Sequence, residues 1–345
     1  MVNDRRKDPN RPDATDVFHA MPVRLIGERE SREADAARLM NYCTPFFDDV
    51  LRGILPEDLI LLTAPSGIGK TDLSLNIAIA NAQKEHRIGY FALEAREREL
   101  EQRVKYSWIS NEAWRRNFDR KHELNFTDWL VHRCEDIVGE LDEAADRWIE
   151  ANLSTLFTFY RGVHFTQTNL TEQIAKHAKR FSLIVVDHLH YIDFEGDERS
   201  ETQAVGDTMK ALRDAQLAAG VPVILVAHLR KRDPRLKQLV PDLEDIHGTK
   251  HITNICTQAI TIAPATTIEA PKWWLAPTFM AVLKDRRAGR PPFVAMTMFD
   301  KRTRRYEDSY ALGRLIKGGT DWEQIKPAET PGWATCHRQM EMQLG

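Results

Sequence analysis

Cysteine is scarce in this sequence: there are four residues in 345, and no two of them form a CxxC pair. Zinc ribbons and dense disulfide frameworks need closely spaced thiols, so neither is indicated, and reduced thiols in a cytosolic protein are the default. The polar first residues, MVNDRRKDPNRPDATD, lack the apolar stretch of a signal peptide. No uncharged apolar run reaches about 18 residues, the length of a membrane-spanning helix. We therefore expect no membrane partner.

An excess of positive charge is also missing. Lys and Arg total 48, Asp and Glu total 51, and the formal net charge is −3. This balance excludes blanket binding to nucleic acid or to an acidic membrane, so any such contact would have to use a local patch. Hydrophobic residues make up 42% of the chain, which allows a sizeable core.

Short apolar runs alternate with helical patterns along much of the chain. Such alternation predicts an α/β fold with a mostly parallel twisted sheet flanked by helices. We expect strands at residues 59–62, 88–93, 182–186, 221–227, 259–262, 279–283 and 293–299. We expect helices at residues 27–42, 71–83 and 202–219, and a helical section from residue 97 to about residue 157.

The segment APSGIGKT follows a predicted strand and opens a predicted helix. Phosphate-binding loops (P-loops) occur in that context, although Ala64 stands where the usual pattern has Gly. Gly67 and Gly69 permit a tight turn that aims N–H groups at phosphate oxygens. Lys70 would reach the β- and γ-phosphates of ATP, and the Thr71 hydroxyl would bind Mg²⁺. The predicted nucleotide-binding residues are Ala64, Pro65, Ser66, Gly67, Ile68, Gly69, Lys70 and Thr71.

Two carboxylates follow predicted strands. Asp187 ends the run LIVVD and Glu94 ends the run IGYFALE. Ligands of open α/β sheets bind at the carboxyl edge of the strands, so we assign Asp187 as the second Mg²⁺ ligand and Glu94 as the base that polarises water. The alternatives are a strand-end Asp that caps the next segment and a Glu that is one more charge at a helix start.

These motifs together resemble the RecA-like P-loop NTPase core of hexameric replicative DNA helicases, both the DnaB type and the helicase half of bacteriophage primase-helicases. The segments that carry the resemblance are FALEARERELEQR, LIVVDHLHYI, VPVILVAHLRKRDP, DLEDIHGTKHI and LKDRRAGRPPFVAMTMFDKRT. It implies an N-terminal extension with a possible linker helix at residues 1–43, a RecA-like ATPase domain at residues 44–308 and a C-terminal tail at residues 309–345.

The resemblance also implies roles for single residues. His228 matches the sensor of the γ-phosphate. Arg286 matches the arginine finger that enters a neighbouring subunit's ATP site, with Lys284 as its partner and Arg287 as a close competitor. Phe299 matches the aromatic residue that stacks on the nucleobase, and its alternative is an ordinary core position in a strand.

A local basic cluster, RKRDPRLK, follows the strand that ends at His228. In the family this region leads into a loop that lines the central channel, so six copies would concentrate charge there; the alternative is a solvated charged loop. The predicted DNA contacts are Arg230, Lys231, Arg232, Arg235, Lys237 and Lys250. One departure from the family leaves these contacts open: the segment DIHGTK lacks the arginine of the usual Asp-Leu-Arg-Gly-Ser-Gly pattern.

The resemblance implies a cytoplasmic, phage-like or bacterial replicative helicase. It would use ATP and Mg²⁺, form a hexameric ring and move 5′ to 3′ on single-stranded DNA at a replication fork. A primase, loader or polymerase would be a separate partner. One alternative is a RecA-like recombinase or recombination mediator, which binds single strands without unwinding. A signalling or clock-type ATPase ring is another.

Overall fold

A computed structural model of the chain describes Met21 and residues 25–65, 67–162, 164–193, 201–229, 238–246 and 253–339. The chain divides into a unit that ends at Leu39 and a unit that begins at Met40. The first unit contains helix α1, Glu28–Ala37, along which ion pairs join Arg29 to Glu33 and Arg32 to Glu28. No helix among the described residues is long and apolar enough to cross a membrane.

The second unit is built on one sheet of eleven described strands. The strands are β1 Leu59–Ala64, β2 Ile88–Ala92, β3 Leu156–Tyr160, β4 Leu183–Asp187, β5 Val223–His228, β6 Gln258–Pro264, β7 Leu275–Asp285, β8 Val294–Asp300, β9 Arg305–Tyr306, β10 Ala311–Ile316 and β11 Asp321–Gln324. The strand order is β11-β10-β8-β7-β6-β1-β5-β4-β2-β3, with β9 paired to β8.

Helices lie on both faces of this sheet. The described α-helices of the second unit are α2 Pro45–Leu51, α3 Lys70–Ala82, α4 Glu97–Arg115, α5 Phe126–Leu130, α6 Glu135–Asn152, α7 Gln167–His177 and α8 Glu201–Ala219, of which α5 packs on α4. Two large clusters of buried apolar side chains result, one containing Leu61 and Val186 and the other containing Leu62 and Ile77. Alternate residues of β1 enter opposite clusters, as expected for a strand buried on both faces.

Six strands, from β6 to β3 in the order above, pair in parallel. Their residues form apolar runs because each central strand is covered by helices on both faces. The α/β class, with a mostly parallel sheet flanked by helices, is therefore confirmed. The carboxyl ends of β1, β2, β4 and β5 meet at one edge, which we call the P-loop edge because α3 starts there after β1.

The other end of the sheet is antiparallel, which the sequence analysis did not predict. β7 pairs with both β6 and β8, and β10 pairs with β8 and β11. The last two strands lie within residues 309–345, so the segment predicted as a tail contributes strands to the sheet. Trp322 of β11 packs against Phe279 with ring centroids 5.8 Å apart and is buried.

The helical section predicted at residues 97–157 is wrong in its last part. The segment LFTFY, which contains Phe157, is strand β3, paired in parallel with β2. Aromatic and β-branched side chains favour a strand at that position. The helices before it share a small separate core, made of Ile109, Ala113, Leu124, Cys134, Val138, Leu141 and Ala145.

Replacement of glycine by alanine at two positions tests how closely β10 packs against Trp322 of β11. A Cβ atom at Gly313 would lie 2.3 Å from Trp322 and 2.5 Å from the carbonyl oxygen of Glu323, whereas one at Gly139, exposed in α6, would meet nothing within 4 Å. We expect Gly313→Ala to lower the free energy of unfolding by about 1–3 kcal/mol. Gly139→Ala should raise it by about 0.5–1 kcal/mol. Urea denaturation measures both, and equal effects of the two changes would contradict the pairing of β10 with β11.

Candidate nucleotide-binding site

The segment predicted as a P-loop connects β1 to α3. β1 ends at Ala64 and α3 begins at Lys70. Gly67 has φ of +79° and Gly69 has φ of +89°, conformations that side chains with a Cβ atom rarely adopt. The glycines predicted from the sequence therefore occupy positions that need glycine. Ser66 lies outside the described residues.

Lys70 is buried, with 6% of its surface exposed. Its Nζ atom donates to the Ala64 carbonyl at 3.2 Å and lies 3.1 Å from Nδ1 of His228. Burial lowers the pKa of Lys70, and the charges of Glu94 and Asp187 oppose that effect. An ammonium group only donates, so Nδ1 of His228 accepts and its proton resides on Nε2. His228 therefore offers an N–H donor on its other nitrogen.

The His228 ring is held in its neutral form. Burial, aided by the charge of Lys70, lowers the pKa of His228 to about 4. The ring packs on the buried ring of His188, with centroids 3.7 Å apart and planes inclined by 36°. A neutral imidazole at the end of β5 suits a donor to phosphate.

Asp187 is the last residue of β4 and is 1% exposed. Burial raises the pKa of Asp187 to about 6; the hydrogen bond from Tyr90 opposes this effect, and the charge of Glu94 adds to it. The Tyr90 hydroxyl donates to Oδ2 of Asp187 at 2.9 Å. The other oxygen, Oδ1, is buried and has no hydrogen-bond partner among the described residues. That orphaned oxygen, together with the Thr71 hydroxyl, supplies the hard ligands that Mg²⁺ prefers.

Glu94 follows β2 and is exposed at the P-loop edge. Its backbone N–H lies 3.3 Å from the Asp187 carbonyl, and its Oε1 atom accepts from the Tyr191 hydroxyl at 3.4 Å. A cleft of ≈ 530 Å³ brings together several of the predicted residues. Its lining includes Gly67, Gly69, Lys70, Thr71, Glu94 and His228.

Two further residues that line this cleft, Asp72 and Arg304, were not predicted from the sequence. Arg304 donates to both carboxylate oxygens of Asp72, at 2.8 and 2.9 Å. Phe299 and Tyr306, with ring centroids 5.0 Å apart, lie beside Gly69, since a Cβ there would be 3.8 Å from Phe299 and 3.7 Å from the Tyr306 hydroxyl. In the sequence, the signal for the contact between Asp72 and Arg304 is the Asp that directly follows the GKT motif. Phe299 thus lies next to the loop, and its stacking role stays a prediction.

Arg286 and Lys284 lie at the opposite edge of the sheet. Asp285 pairs with Gln258, the first residue of β6, and the Arg286 N–H donates to Thr257 at 2.9 Å. Asp285 and Arg286 therefore lie level with the first residues of β1. The first and last residues of β1 are about 17 Å apart at ~3.3 Å per residue. The Arg286 guanidinium donates to the Asn254 carbonyl at 3.2 Å, and Lys284 donates to the Thr253 carbonyl. Neither side chain belongs to the cleft of its own chain.

Arg287 is held more tightly than Arg286. Its guanidinium donates to the carbonyls of Leu51 and Gly53, each at 3.0 Å, and lies 3.6 Å from the Asp58 carboxylate. These contacts tie Arg287 to its own subunit. Of the two arginines, Arg286 is the one whose described contacts leave it suited to a neighbouring chain.

The residues predicted to contact DNA are not among those described. They are Arg230, Lys231, Arg232, Arg235, Lys237 and Lys250. Their roles stay predictions.

The buried charge of Asp187 predicts a stability effect that depends on pH. The folded-state pKa, about 6, lies above the ordinary 3.8, so stability is lost as pH rises between these values. The difference corresponds to about 3 kcal/mol at neutral pH. We expect Asp187→Asn to raise the free energy of unfolding of the nucleotide-free protein at pH 8 by up to that amount, less the cost of burying the amide. The gain should shrink at pH 5, where the native carboxyl is mostly protonated.

Urea denaturation in a metal chelator at both pH values makes this measurement. Asp72→Asn is the matched control because the buried Asp72 carboxylate is compensated by Arg304. Removing that charge should lower stability at both pH values by about 3–5 kcal/mol. A gain from Asp187→Asn that is equal at pH 5 and pH 8 would contradict a net cost of burying this charge.

Known proteins share the fold of this chain. Residues 44–308 match the model of the DnaB-like helicase C-terminal domain. A solved structure described as an ATPase domain is similar at 14% identity with a TM-score of 0.66, over 84% of this chain and 98% of that one. A structure described as a DnaB-like replicative helicase and its interactions with primase is similar at 14% identity with a TM-score of 0.64, over 84% of this chain and 67% of that one. No curated protein matches.

The family match spans more than half of the chain, and the fold is that of RecA-like ATPases. The chain therefore belongs to the DnaB-like replicative helicases, enzymes that are driven by ATP hydrolysis.

Proposed function

We propose that this helicase assembles into a hexameric ring, hydrolyses ATP with Mg²⁺ between neighbouring subunits, moves 5′ to 3′ on single-stranded DNA and unwinds duplex ahead of it. The observation that carries the proposal is the separation of Arg286 from the nucleotide cleft of its own chain. A finger that cannot reach its own site completes the site of another copy.

Residues in and beside the cleft would supply the groups that phosphoryl transfer to water needs. Lys70 would neutralise the β- and γ-phosphates, and N–H groups of the loop would bind their oxygens. Thr71 and Asp187 would hold Mg²⁺, which supplies positive charge to the phosphate oxygens when bound. Glu94 would accept a proton from the attacking water. His228 would donate from Nε2 to the γ-phosphate and lose that partner after hydrolysis.

Head-to-tail association follows from the two edges of the sheet. When the Arg286 edge of one copy meets the P-loop edge of the next, the contact is heterologous, and it closes as a ring if the rotation permits. In that arrangement Arg286 stabilises charge that develops on the neighbour's γ-phosphate, with Lys284 beside it. Phe299, near Gly69 on the receiving side, would stack on the nucleobase.

DNA would be bound by the basic cluster after β5 and by Lys250. The cluster residues are Arg230, Lys231, Arg232, Arg235 and Lys237. Contacts between cations and phosphates do not depend on base sequence and weaken as salt rises. A ring would gather six copies of the cluster, which reconciles strand binding with a net charge of −3. A primase, loader or polymerase in the same cytoplasm would be recruited as a separate protein.

Glu94→Gln tests the assignment of the base. The amide keeps the size of the side chain but cannot take a proton, so we expect hydrolysis to fall by about 10²–10⁴-fold while nucleotide binding persists. The matched control is Glu97→Gln, since Glu97 is exposed three residues later in the first turn of α4. Steady-state ATPase assays and binding of a fluorescent ATP analogue make the comparison. Normal turnover by Glu94→Gln would remove Glu94 as the base.

Arg286→Ala tests the assembly and the activity together. Strand displacement would be followed on a forked DNA with one labelled strand, for wild type, for Arg286→Ala and for an equimolar mixture of the two. We expect the variant alone to lose about 10³–10⁵-fold in turnover. The mixture should lose more activity than dilution explains, because each variant copy disables a wild-type neighbour's site. Arg290→Ala, a change at an exposed arginine paired with Asp242, is the control and should unwind normally.

The outcomes separate the possible functions. DNA-stimulated ATPase activity without displacement would favour the recombinase or mediator. A mixture with half of the wild-type activity would exclude a finger that acts between subunits. ATP hydrolysis that DNA does not change would favour a ring ATPase that does not act on DNA.

A further inference from the structure

A buried tyrosine contacts the predicted metal ligand. Tyr90 lies in β2 and is fully buried on the face of the sheet that packs against α3. Its hydroxyl is 2.9 Å from Oδ2 of Asp187 on one side and 2.9 Å from Oγ of Ser74 on the other. A buried hydroxyl costs free energy unless it is hydrogen-bonded. An apolar side chain of similar size would fill this position without needing such partners. The hydroxyl therefore needs an explanation other than packing.

The direction of the two hydrogen bonds follows from the donors available. An ionised carboxylate only accepts, so the Tyr90 hydroxyl donates its single proton to Asp187. The contact with Ser74 must then be a donation from Ser74 to Tyr90. Ser74 also lies 3.1 Å from the Thr71 carbonyl, so its proton is shared between that carbonyl and the nearer Tyr90 oxygen at 2.9 Å. The bonds run in one direction, from Ser74 through Tyr90 to Asp187.

This chain of bonds connects the two elements that carry the predicted metal ligands. Ser74 lies in α3, one turn after Thr71, and Asp187 ends β4. β2 lies beside β4 in the sheet and carries Tyr90. The bond to Tyr90 occupies Oδ2 of Asp187 and leaves the orphaned Oδ1 for the metal.

We propose that Tyr90 is a positioning residue for the divalent cation. Its hydroxyl fixes the rotation of the Asp187 carboxylate and, through Ser74, sets the distance between that carboxylate and the Thr71 hydroxyl. The inference rests on the proposed role of Asp187 and Thr71 as metal ligands. Removing such a partner of a metal ligand typically weakens metal affinity about 10–100-fold.

Tyr90→Phe removes the hydroxyl and keeps the ring. Tyr310→Phe is a matched control: Tyr310, the residue before β10, is also buried in the same apolar cluster, and its hydroxyl donates to Asp49 of α2 at 2.7 Å. Mn²⁺ would be titrated into the full-length protein saturated with ADP and followed by electron paramagnetic resonance. Urea denaturation of each nucleotide-free variant would show how much stability each lost bond costs.

We expect both variants to lose stability to a similar degree, and Tyr90→Phe alone to weaken Mn²⁺ binding by about tenfold or more. The Mg²⁺ concentration for half-maximal ATPase activity should rise by the same factor, with little change in KM for ATP at saturating Mg²⁺. Ser74→Ala should shift Mn²⁺ affinity in the same direction by a smaller factor, since Tyr90 still donates to Asp187.

Mn²⁺ affinity of Tyr90→Phe within twofold of wild type would overturn the proposal. An equal loss of affinity in Tyr310→Phe would overturn it too, because the effect would then come from general loosening of the core. If wild-type protein bound ADP but Asp187→Asn left Mn²⁺ affinity unchanged, the assignment of the metal ligand itself would fail. That result is distinct from a failure that concerns Tyr90 alone.

Discussion

The in-register parallel pairing of four strands is the constraint on which the site depends. Ala64 at the end of β1 pairs with His228 at the end of β5, and Ala92 at the end of β2 pairs with Asp187 at the end of β4. A shift of one residue in any of these strands would turn its side chains to the other face of the sheet. The apolar runs that bury these strands on both faces therefore also fix the position of each polar group that follows them.

The same burial leaves the site electrostatically unfavourable without its ligands. Burial moves the pKa of Asp187 upward and those of Lys70 and His228 downward, in each case toward the neutral form. Groups placed this way have already lost their water, so they interact strongly with the charges of a bound nucleotide and cation. The fold thus gives up stability at the site in return for preorganisation.

The central half of the fold was predictable because its signals are local. Residues 59–71 contain the strand, the glycines and the helix start in one stretch, and Asp187 directly follows its apolar run. Contacts between distant segments were not predictable. Asp72 meets Arg304 across 232 positions and Tyr90 meets Asp187 across 97, with no spacing pattern to mark either pair. The predicted helix at 27–42 was too long for the same reason: Met40 bonds to Ile54 and Asn41 to Asn81, which draws both out of helical geometry.

Strand β7 has a mechanical consequence. It is eleven residues long, about 34 Å at ~3.4 Å per residue, and it runs from beside Phe299 at one edge to Asp285 at the other. It pairs with β8 from Leu275 to Ala281 and with β6 from Thr278 to Asp285, so the two pairings overlap in its middle. If Phe299 stacks on a nucleobase and Arg286 serves the neighbouring subunit, as proposed above, this strand would link those two contacts within one subunit. In a closed ring, the order in which the sites hydrolyse ATP would then depend on the sheet as well as on the loops.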